Sequence, residues 1–332
     1  MGSAFSTEVL PTTAGTWRRK LMVAVRALVV VIIYVIILRN VNLTGVAARL
    51  NTATAWAFAA GVVLLLGQAG LCTARWRLLL ESASVRPGFA DSYRVFLEGS
   101  FFNQALPSTI GGDAWRVVRW HAAGVSLRAA AASVLMDRIS GAMGAAILAI
   151  LASLVLSRHG VDAQLTLFIF CLGALAIAGG VTFIVMIGRR VLPFRRFTRI
   201  HGEIAKLQGS LVRDRRFLAS LLYSIAGHCL SVIAVFLTAR SLGVDLSLLL
   251  IVSVTACVLL VIMIPISLAG WGMREASFIA LLVPLGVNSQ DGLLIGILFG
   301  LICLVSALPG GLTFLAGRKA VYHESERTKP AS

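Results

Sequence analysis

The chain has 332 residues, of which 58% are apolar and only 13% are charged, and its mean hydropathy is +0.90. Soluble domains have about 45–50% apolar and about 25% charged residues, so this composition excludes a soluble enzyme with a polar surface. The net charge is +16. Because the basic residues lie between apolar runs, they indicate a membrane protein that follows the positive-inside rule, with no nucleic-acid partner.

Seven long apolar runs follow one another along the chain. They cover residues 21–38, 54–73, 129–156, 164–188, 217–239, 246–285 and 292–317. A bilayer core needs about 20 apolar residues per helix, so these runs and a weaker stretch at 93–116 predict an all-α polytopic membrane protein with about seven to eight membrane segments. Residues 1–20 and 318–332 are expected to be short cytoplasmic tails, because neither is long enough to fold alone.

The basic residues also predict the orientation. With the N-terminus in the cytoplasm, 24 of the 30 basic residues lie in cytoplasmic segments, among them Arg75 in segment 74–94, and four lie in outer loops. This asymmetry satisfies the positive-inside rule. No small-residue cleavage site follows run 21–38, so it is read as a retained helix and not as a signal peptide. We therefore expect a protein of the bacterial inner membrane with both termini cytoplasmic.

Two stretches are interrupted by proline and glycine. The stretch 93–116 contains Pro107, and 246–285 is too long for one helix and contains Pro265. Read as re-entrant hairpins, they divide the chain into two membrane halves, 21–157 and 158–317, of opposite orientation. Inverted repeats whose broken helices meet near the bilayer midplane are a transporter architecture, and each proline precedes an arginine by nine residues.

The loop between the fourth and fifth runs has its own pattern. Apolar residues at spacings of three and four predict an amphipathic helix near 195–213, with Arg and Lys on its other faces. Such a helix would lie on the inner leaflet and bind anionic headgroups. An ordinary basic cytoplasmic loop is an equally good interpretation.

The first motif runs from Asn103 to Arg116 and can form an anion site. Pro107 ends the incoming half-helix, and the pair Gly111–Gly112 lets the backbone turn. Asp113 can cap the outgoing helix, which places Arg116 in its first turn. Free backbone N–H groups, a positive helix end and an arginine together attract anions. The alternative is a cytoplasmic loop with a Pro-Gly turn.

The second motif, from Pro265 to Glu275, repeats this arrangement. Gly270 and Gly272 provide flexibility, and Arg274 and Glu275 open a helix. No charged residue lies between Asp245 and Arg274, and a charge at bilayer depth costs about 2.5–3.5 kcal/mol on insertion scales. A pair kept there needs partners or a polar cavity, which favours a functional site.

Asp137 and Arg138 are neighbours in run 129–156. Neighbouring residues on a helix point in different directions, so each needs a partner elsewhere. We expect Arg274 or Arg116 to meet Asp137, and Arg138 to meet Glu275 or a lipid phosphate. A purely structural salt bridge between helices is the alternative.

Other chemistry has little support in the sequence. The five cysteines lie in apolar runs without a CxxC or Cys/His pair, and there is no HExxH, so we expect no metal and no cofactor. Ser108 and Ser267 have no His/Asp series that would make either a nucleophile. The prediction is therefore that the chain is not an enzyme.

These motifs, with Leu308–Gly311, resemble the lysylphosphatidylglycerol synthase transmembrane family, also called the flippase-like domain family, over about residues 20–318. The resemblance implies a membrane domain that moves lipids between leaflets. In bifunctional relatives a cytosolic aminoacyltransferase domain makes the lysyl-lipid, and we expect this protein to lack that domain. Two positions depart from the family pattern: Asp137 stands where relatives often have Glu, and Trp271 stands where a second glycine is common.

The sequence thus predicts lipid translocation. The expected substrate is an anionic or modified phospholipid, or a polyprenyl-phosphate-linked lipid. Arg116, Arg274, Asn103 and the glycines of both motifs would bind it, and Asp113, Asp137, Arg138, Glu275, Pro107 and Pro265 would form a polar gating network. A non-transporting membrane partner that delivers lipid to a separate transferase is the main alternative. A headgroup transferase and a small-anion transporter are further ones.

Overall fold

The computed structural model of the chain is helical throughout the part that it describes. That part comprises residues 51–82, 85–106, 111–158, 162–188, 216–264 and 269–317. The helices are α1 (Thr52–Ser82), α2 (Phe89–Ala105), α3 (Gly111–Ala122), α4 (Leu127–Leu156), α5 (Ala163–Gly188), α6 (Arg216–Ser241), α7 (Leu248–Ile262), α8 (Met273–Leu282) and α9 (Ser289–Leu315), with a 3-10 turn at Val283–Leu285. The tails, run 21–38 and the predicted amphipathic helix near 195–213 lie outside the described residues.

Five of these helices, α1, α4, α5, α6 and α9, are long and apolar enough to cross a membrane. The other four have 17, 12, 15 and 10 residues, fewer than the roughly 20 that a span needs. These short helices form two consecutive pairs, α2–α3 and α7–α8, where the sequence predicts hairpins. The structure therefore agrees with the predicted helices, with their membrane character and with the two interrupted stretches. That these stretches re-enter the membrane, and the total number of membrane segments, stay predictions.

The helix ends follow local sequence signals. Ser126 and Ser247 accept hydrogen bonds from the backbone N–H groups of Ala129 and Leu250 at the starts of α4 and α7, as N-cap serines do. Leu106, which ends α2, is extended, because the residue before a proline avoids the helical region. Pro107 and Pro265 themselves lie outside the described residues.

The helix contacts are reciprocal between two sets of four helices, α1–α4 and α6–α9. Helix α1 packs on α6; α2 packs on α9 as α7 packs on α4. Likewise α3 packs on α4 as α8 packs on α9, and α1 packs on α9 as α6 packs on α4. Exchanging the two sets leaves this pattern of contacts unchanged. In each short-helix pair the first helix lies against the last helix of the other set, and the second helix lies against the last helix of its own set.

Small residues allow these helices to approach closely. A Cβ atom at Gly112 would overlap the carbonyl oxygen of Gly99, and one at Gly310 would overlap the carbonyl oxygen of Leu97. On α4, a Cβ atom at Gly144 would lie 2.5 Å from the Cβ atom of Ser224. Close approach through small residues is the usual means of packing helices in membranes.

Candidate functional site

The first motif forms a tight crossing of α2 and α3. Asn103 on α2 accepts a hydrogen bond from the backbone N–H of Gly112, with an N–O distance of 2.8 Å. Asn103 therefore satisfies a free donor at the start of α3. The prediction that Asp113 caps this helix was wrong, since α3 already begins at Gly111 and Asp113 is its third residue.

Asp137 is the centre of a buried charge cluster. Arg116 on α3 donates to one carboxylate oxygen at 2.9 Å, and Arg75 on α1 donates to the other at 2.7 Å. Arg75 also donates to the Ser224 hydroxyl on α6 at 3.0 Å. The Asp137 carboxylate on α4 thus joins α1 and α3 directly, and α6 through Arg75. Of the two expected partners of Asp137, it is Arg116 that makes the contact.

Two further charges extend this cluster. Asp113 lies 3.6 Å from an amino group of Arg116 and also pairs with Arg138 on α4. Arg138 was expected to meet Glu275 or a lipid phosphate, but the structure pairs it with Asp113. Its side chain is 32% exposed, whereas those of Arg75, Arg116 and Asp137 are buried. We call Arg75, Asp113, Arg116, Asp137 and Arg138 the first cluster; it contains three cations and two anions.

Aromatic rings shield Arg116 from one side. Its guanidinium carbon lies 3.8 Å from the ring centroid of Trp76 and 4.9 Å from that of Phe96. The Trp76 ring is held in turn by a hydrogen bond from its N–H to Ser133 at 3.1 Å. A cation over an aromatic face gains up to about 2 kcal/mol when it is desolvated, so these rings stabilise the charged side chain of Arg116 in its buried position.

Arg75 is the residue that the sequence analysis missed. It was assigned to a cytoplasmic segment because the apolar run ends at residue 73, but α1 continues to Ser82 and Arg75 is buried within it. Hydropathy alone ends a run at its first charge, whereas Asp137 and Ser224 compensate this charge inside the protein. The signal that could have identified Arg75 is the unpaired acid Asp137 in the middle of an apolar run.

Glu98 forms a separate ionic contact between α2 and α3. Its carboxylate is fully buried and accepts hydrogen bonds from Trp115 at 2.9 Å and from Arg119 at 3.1 Å. Arg94, one turn earlier on α2, lies 3.5 Å away. These bonds fasten α3 to α2 and so fix the position of Arg116, which also lies on α3.

The second motif holds its charges differently. Gly270 and Gly272 both have φ near +81°, a conformation that L side chains rarely adopt. Arg274 and Glu275 then open α8, and both are buried. Glu275 accepts from the backbone N–H of Gly272 and from Arg274, with N–O distances of 3.2 and 3.3 Å to the guanidinium. We call Arg274 and Glu275 the second cluster.

Helix α9 makes room for the second cluster. A Cβ atom at Gly300 would overlap the guanidinium of Arg274, and one at Gly296 would lie 2.9 Å from the Cα atom of Glu275. The guanidinium carbon of Arg274 lies 4.7 Å from the ring centroid of Trp271. The two clusters are therefore separate, and Arg274 pairs with its own neighbour instead of Asp137.

A cavity of about 200 Å³ lies between the two clusters, among α1, α2, α6, α7 and α9. Its polar lining consists of neutral groups: Gln68, Ser100, Gln104, Ser231 and Ser306. Cys72 in its wall is within electrostatic reach of Arg75, Arg116 and Asp137. Cys303, also in its wall, is within electrostatic reach of Arg274 and Glu275. We call it the central cavity; Cys72 and Cys303 are the lining residues that lie near the first and the second cluster.

Side chains that commonly bind metals do not form a cluster in the described ranges. These ranges contain no group of three or more His, Cys, Asp or Glu side chains that could hold a metal ion. His228, buried on α6, is engaged with the backbone carbonyl of Gly141 on α4 at 2.8 Å. Its contact is one of helix packing.

In the residues that the structure describes, the fold and the two clusters are those of a helical integral membrane protein with ion pairs buried between its helices. The chain belongs to the family described as the lysylphosphatidylglycerol synthase TM region, which it matches over residues 22–310. That range contains both clusters and most of the described helices. Searches among curated proteins and among solved structures gave no significant match.

Proposed function

We propose that this protein translocates lipids between membrane leaflets and that the headgroup passes through the central cavity. The observation that carries this proposal is the position of the cavity. One helix of each short-helix pair, α2 and α7, lines it, and two cysteines in its wall lie within electrostatic reach of the two buried arginine clusters. Membrane transporters bind their substrates at such meetings of broken helices. The family match to a membrane domain associated with lipid handling supports the same function.

The charges favour an anionic headgroup. The first cluster has three arginines against two carboxylates, so it retains a formal positive charge. Arginine binds phosphate through two parallel hydrogen bonds. Arg116 and Arg274, together with Asn103 and the glycines at the helix starts, would contact a phospholipid or polyprenyl-phosphate-linked lipid, while Asp113, Asp137, Arg138 and Glu275 exchange partners as access alternates.

The reciprocal helix contacts support two halves related by a pseudo-two-fold axis. If α2–α3 and α7–α8 enter the membrane from opposite sides, as the sequence predicts, each hairpin can open while the other stays closed. Pro107 and Pro265 would then mark the turning points. The charge distribution supports an inner-membrane location with both termini cytoplasmic.

We infer a transport role without catalysis. The matched family corresponds to the transmembrane part of the synthase and not to its transferase part. A separate lipid-modifying enzyme is the partner that such a protein would serve, and membrane lipid is its substrate.

The proposal is tested in vesicles that contain the purified protein and a fluorescent phosphatidylglycerol. Reduction of the outer-leaflet label measures movement between leaflets. We expect movement above that of empty vesicles for the wild type, and strongly reduced movement for Arg116→Gln and Arg274→Gln. Arg240→Gln is the matched control, because its ion pair with Asp245 is on the surface, with the two side chains 49% and 86% exposed.

Each variant is first shown to be folded by its thermal unfolding temperature. No movement of phosphatidylglycerol, phosphatidylethanolamine or polyprenyl phosphate by folded wild-type protein would refute the proposal and favour the non-transporting lipid partner. Equal movement by Arg240→Gln and the two cluster variants would refute the role of the clusters.

A further inference from the structure

We infer that a bilayer-facing groove between α4, α5 and α7 binds one acyl chain of a membrane lipid, with the lipid phosphate at Arg138. The groove is separate from the central cavity and has a volume of about 500 Å³. This lies within the roughly 300–1,000 Å³ of typical ligand sites. The inference rests on the proposed function for its choice of a phosphate-bearing lipid.

The lining of the groove fits a hydrocarbon chain. Arg138 is its single charged residue, and the remaining lining is apolar, with Leu175, Phe183 and Ile264 among it. Leu175 is 71% exposed and Ile264 is 50% exposed. Since α4 and α5 are both long and apolar enough to span a membrane, their exposed apolar surface faces lipid, and a lipid is the molecule that reaches the groove.

Two glycines create the depth of the groove. A Cβ atom added at Gly179 would meet no atom within 4 Å, and one at Gly180 would make only ordinary contacts, with Met143 at 3.4 Å and Ile139 at 3.6 Å. The space above Gly179 is therefore open and not filled by a neighbouring side chain. An apolar space in contact with lipid is filled by acyl chains, because dispersion contacts are otherwise lost.

The position of Arg138 connects the groove with the first cluster. It is the twelfth residue of α4, about 16 Å along the helix from Leu127. One side of its guanidinium pairs with Asp113 of the first cluster, and the residue also lines the groove. An amphiphile whose chain lies in the groove therefore has its phosphate beside an arginine that belongs to the headgroup site. Charge complementarity selects a lipid with an anionic headgroup.

The groove thus provides a lateral entrance to the site. The chain would stay in contact with the bilayer while the phosphate moves from Arg138 toward Arg116. Because long side chains with charged heads can reorient over several ångströms, Arg138 can turn from Asp113 to the phosphate without movement of α4.

Photo-crosslinking tests this inference on the full-length protein. The protein is reconstituted in phosphatidylcholine vesicles with phosphatidylglycerol that carries a diazirine in one acyl chain, and the adducts are mapped by mass spectrometry. We expect adducts on the groove residues of α5 and α7. Gly179→Leu should reduce them by roughly tenfold, the change that about 1.4 kcal/mol of lost binding free energy produces.

Ala178→Leu is the matched control. Ala178 is the preceding residue on α5, is exposed and does not line the groove, so the same bulk there should leave the adducts unchanged. A side chain at position 179 has no close neighbour, and position 178 is exposed. Neither substitution should therefore disturb the packing of the helices. Arg138→Gln should abolish the preference for diazirine phosphatidylglycerol over diazirine phosphatidylcholine while adducts still form.

Three results would overturn the inference: adducts spread evenly over all exposed helix faces, adducts unaffected by Gly179→Leu, or protein–protein crosslinks at the groove that indicate a second copy. Lipid movement is measured on the same samples. Groove adducts without any lipid movement between leaflets would support acyl-chain binding in the groove and refute the proposed function. Normal movement by Gly179→Leu with its adducts lost would retain the function and refute the entrance.

Discussion

The arginines of the two short-helix pairs are compensated in different ways. Arg116 on α3 finds its carboxylate on another helix, and that carboxylate is shared with Arg75 on α1. Arg274 on α8 finds its carboxylate on the adjacent residue, Glu275. The first arrangement joins α1, α3, α4 and α6, whereas the second is confined to one helix start and the glycines of α9 that accommodate it.

This difference predicts different mechanical roles. If α3 moves relative to α4, Arg116 must leave Asp137, so this movement requires an exchange of ionic partners. Helix α8 carries both members of its pair and can move without breaking it. The excess positive charge of the first cluster also makes it the better phosphate site, since the second cluster is formally neutral.

The largest expected effect is that of Asp137→Asn. It leaves Arg75 and Arg116 buried without their shared carboxylate, and removing one partner of a buried ion pair costs about 3–5 kcal/mol. We expect a clear decrease in the unfolding temperature in detergent. Asp245→Asn is the control, since its exposed ion pair contributes about 0–1 kcal/mol; equal unfolding temperatures for both variants would contradict the account.

Gly112→Ala should have the next largest effect. The new Cβ atom would overlap the backbone of Gly99, which cannot move as a side chain can, and overpacking costs about 1–3 kcal/mol. Gly67→Ala on α1 is the control, because its Cβ atom would make an ordinary contact with Leu230 at 3.6 Å. A comparable loss of unfolding free energy in both variants would show that the α2–α3 crossing is not tight.

Gly300→Ala tests the second cluster by displacing the Arg274 guanidinium. Because a flexible side chain can yield, we expect a loss of only about 1 kcal/mol of stability, the scale of one hydrogen bond. Lipid movement should nevertheless fall markedly, measured at equal folded protein against Gly67→Ala. Unchanged lipid movement would mean that the position of Arg274 is not important for transport.

The smallest effect is expected for Trp76→Phe. The phenyl ring keeps an aromatic face near Arg116 but loses the hydrogen bond to Ser133, which costs about 0.5–1.5 kcal/mol. Ser133→Ala should cost a similar amount, and the double variant should cost little more than either single one. Additive losses in this double-mutant cycle of unfolding free energies would show that the two residues act independently.

The sequence was informative where a charge interrupts an apolar run. Asp137, Arg274 and Glu275 stand out in that way, and the structure places all three in buried clusters. It was less informative at the ends of the apolar runs. Arg75 was assigned to a cytoplasmic segment because hydropathy and periodicity carry no information about a partner on another helix, here Asp137. Arg138 pairs with Asp113 and not with the expected Glu275 because of the way α3 lies against α4, which the sequence does not reveal.

Packing between helices was the least predictable feature. The proline and glycine positions predicted the two pairs of short helices, whose observed bounds contain most of 93–116 and 246–285. The reciprocal contacts, the central cavity and the groove above Gly179 depend on distances between distant segments. A glycine in an apolar run has the same sequence signal whether it meets a backbone, as Gly112 does, or open space, as Gly179 does.

The most direct test of the central claim is to block the central cavity and measure lipid movement. In a protein that keeps Cys72 and Cys303 and has alanine at the other three cysteines, a small charged methanethiosulfonate is attached and the adducts are counted by mass spectrometry. A cysteine-free protein is treated in parallel. We predict that modification stops lipid movement and that substrate lipid slows modification. Undiminished movement with both thiols modified would contradict a headgroup path through this cavity.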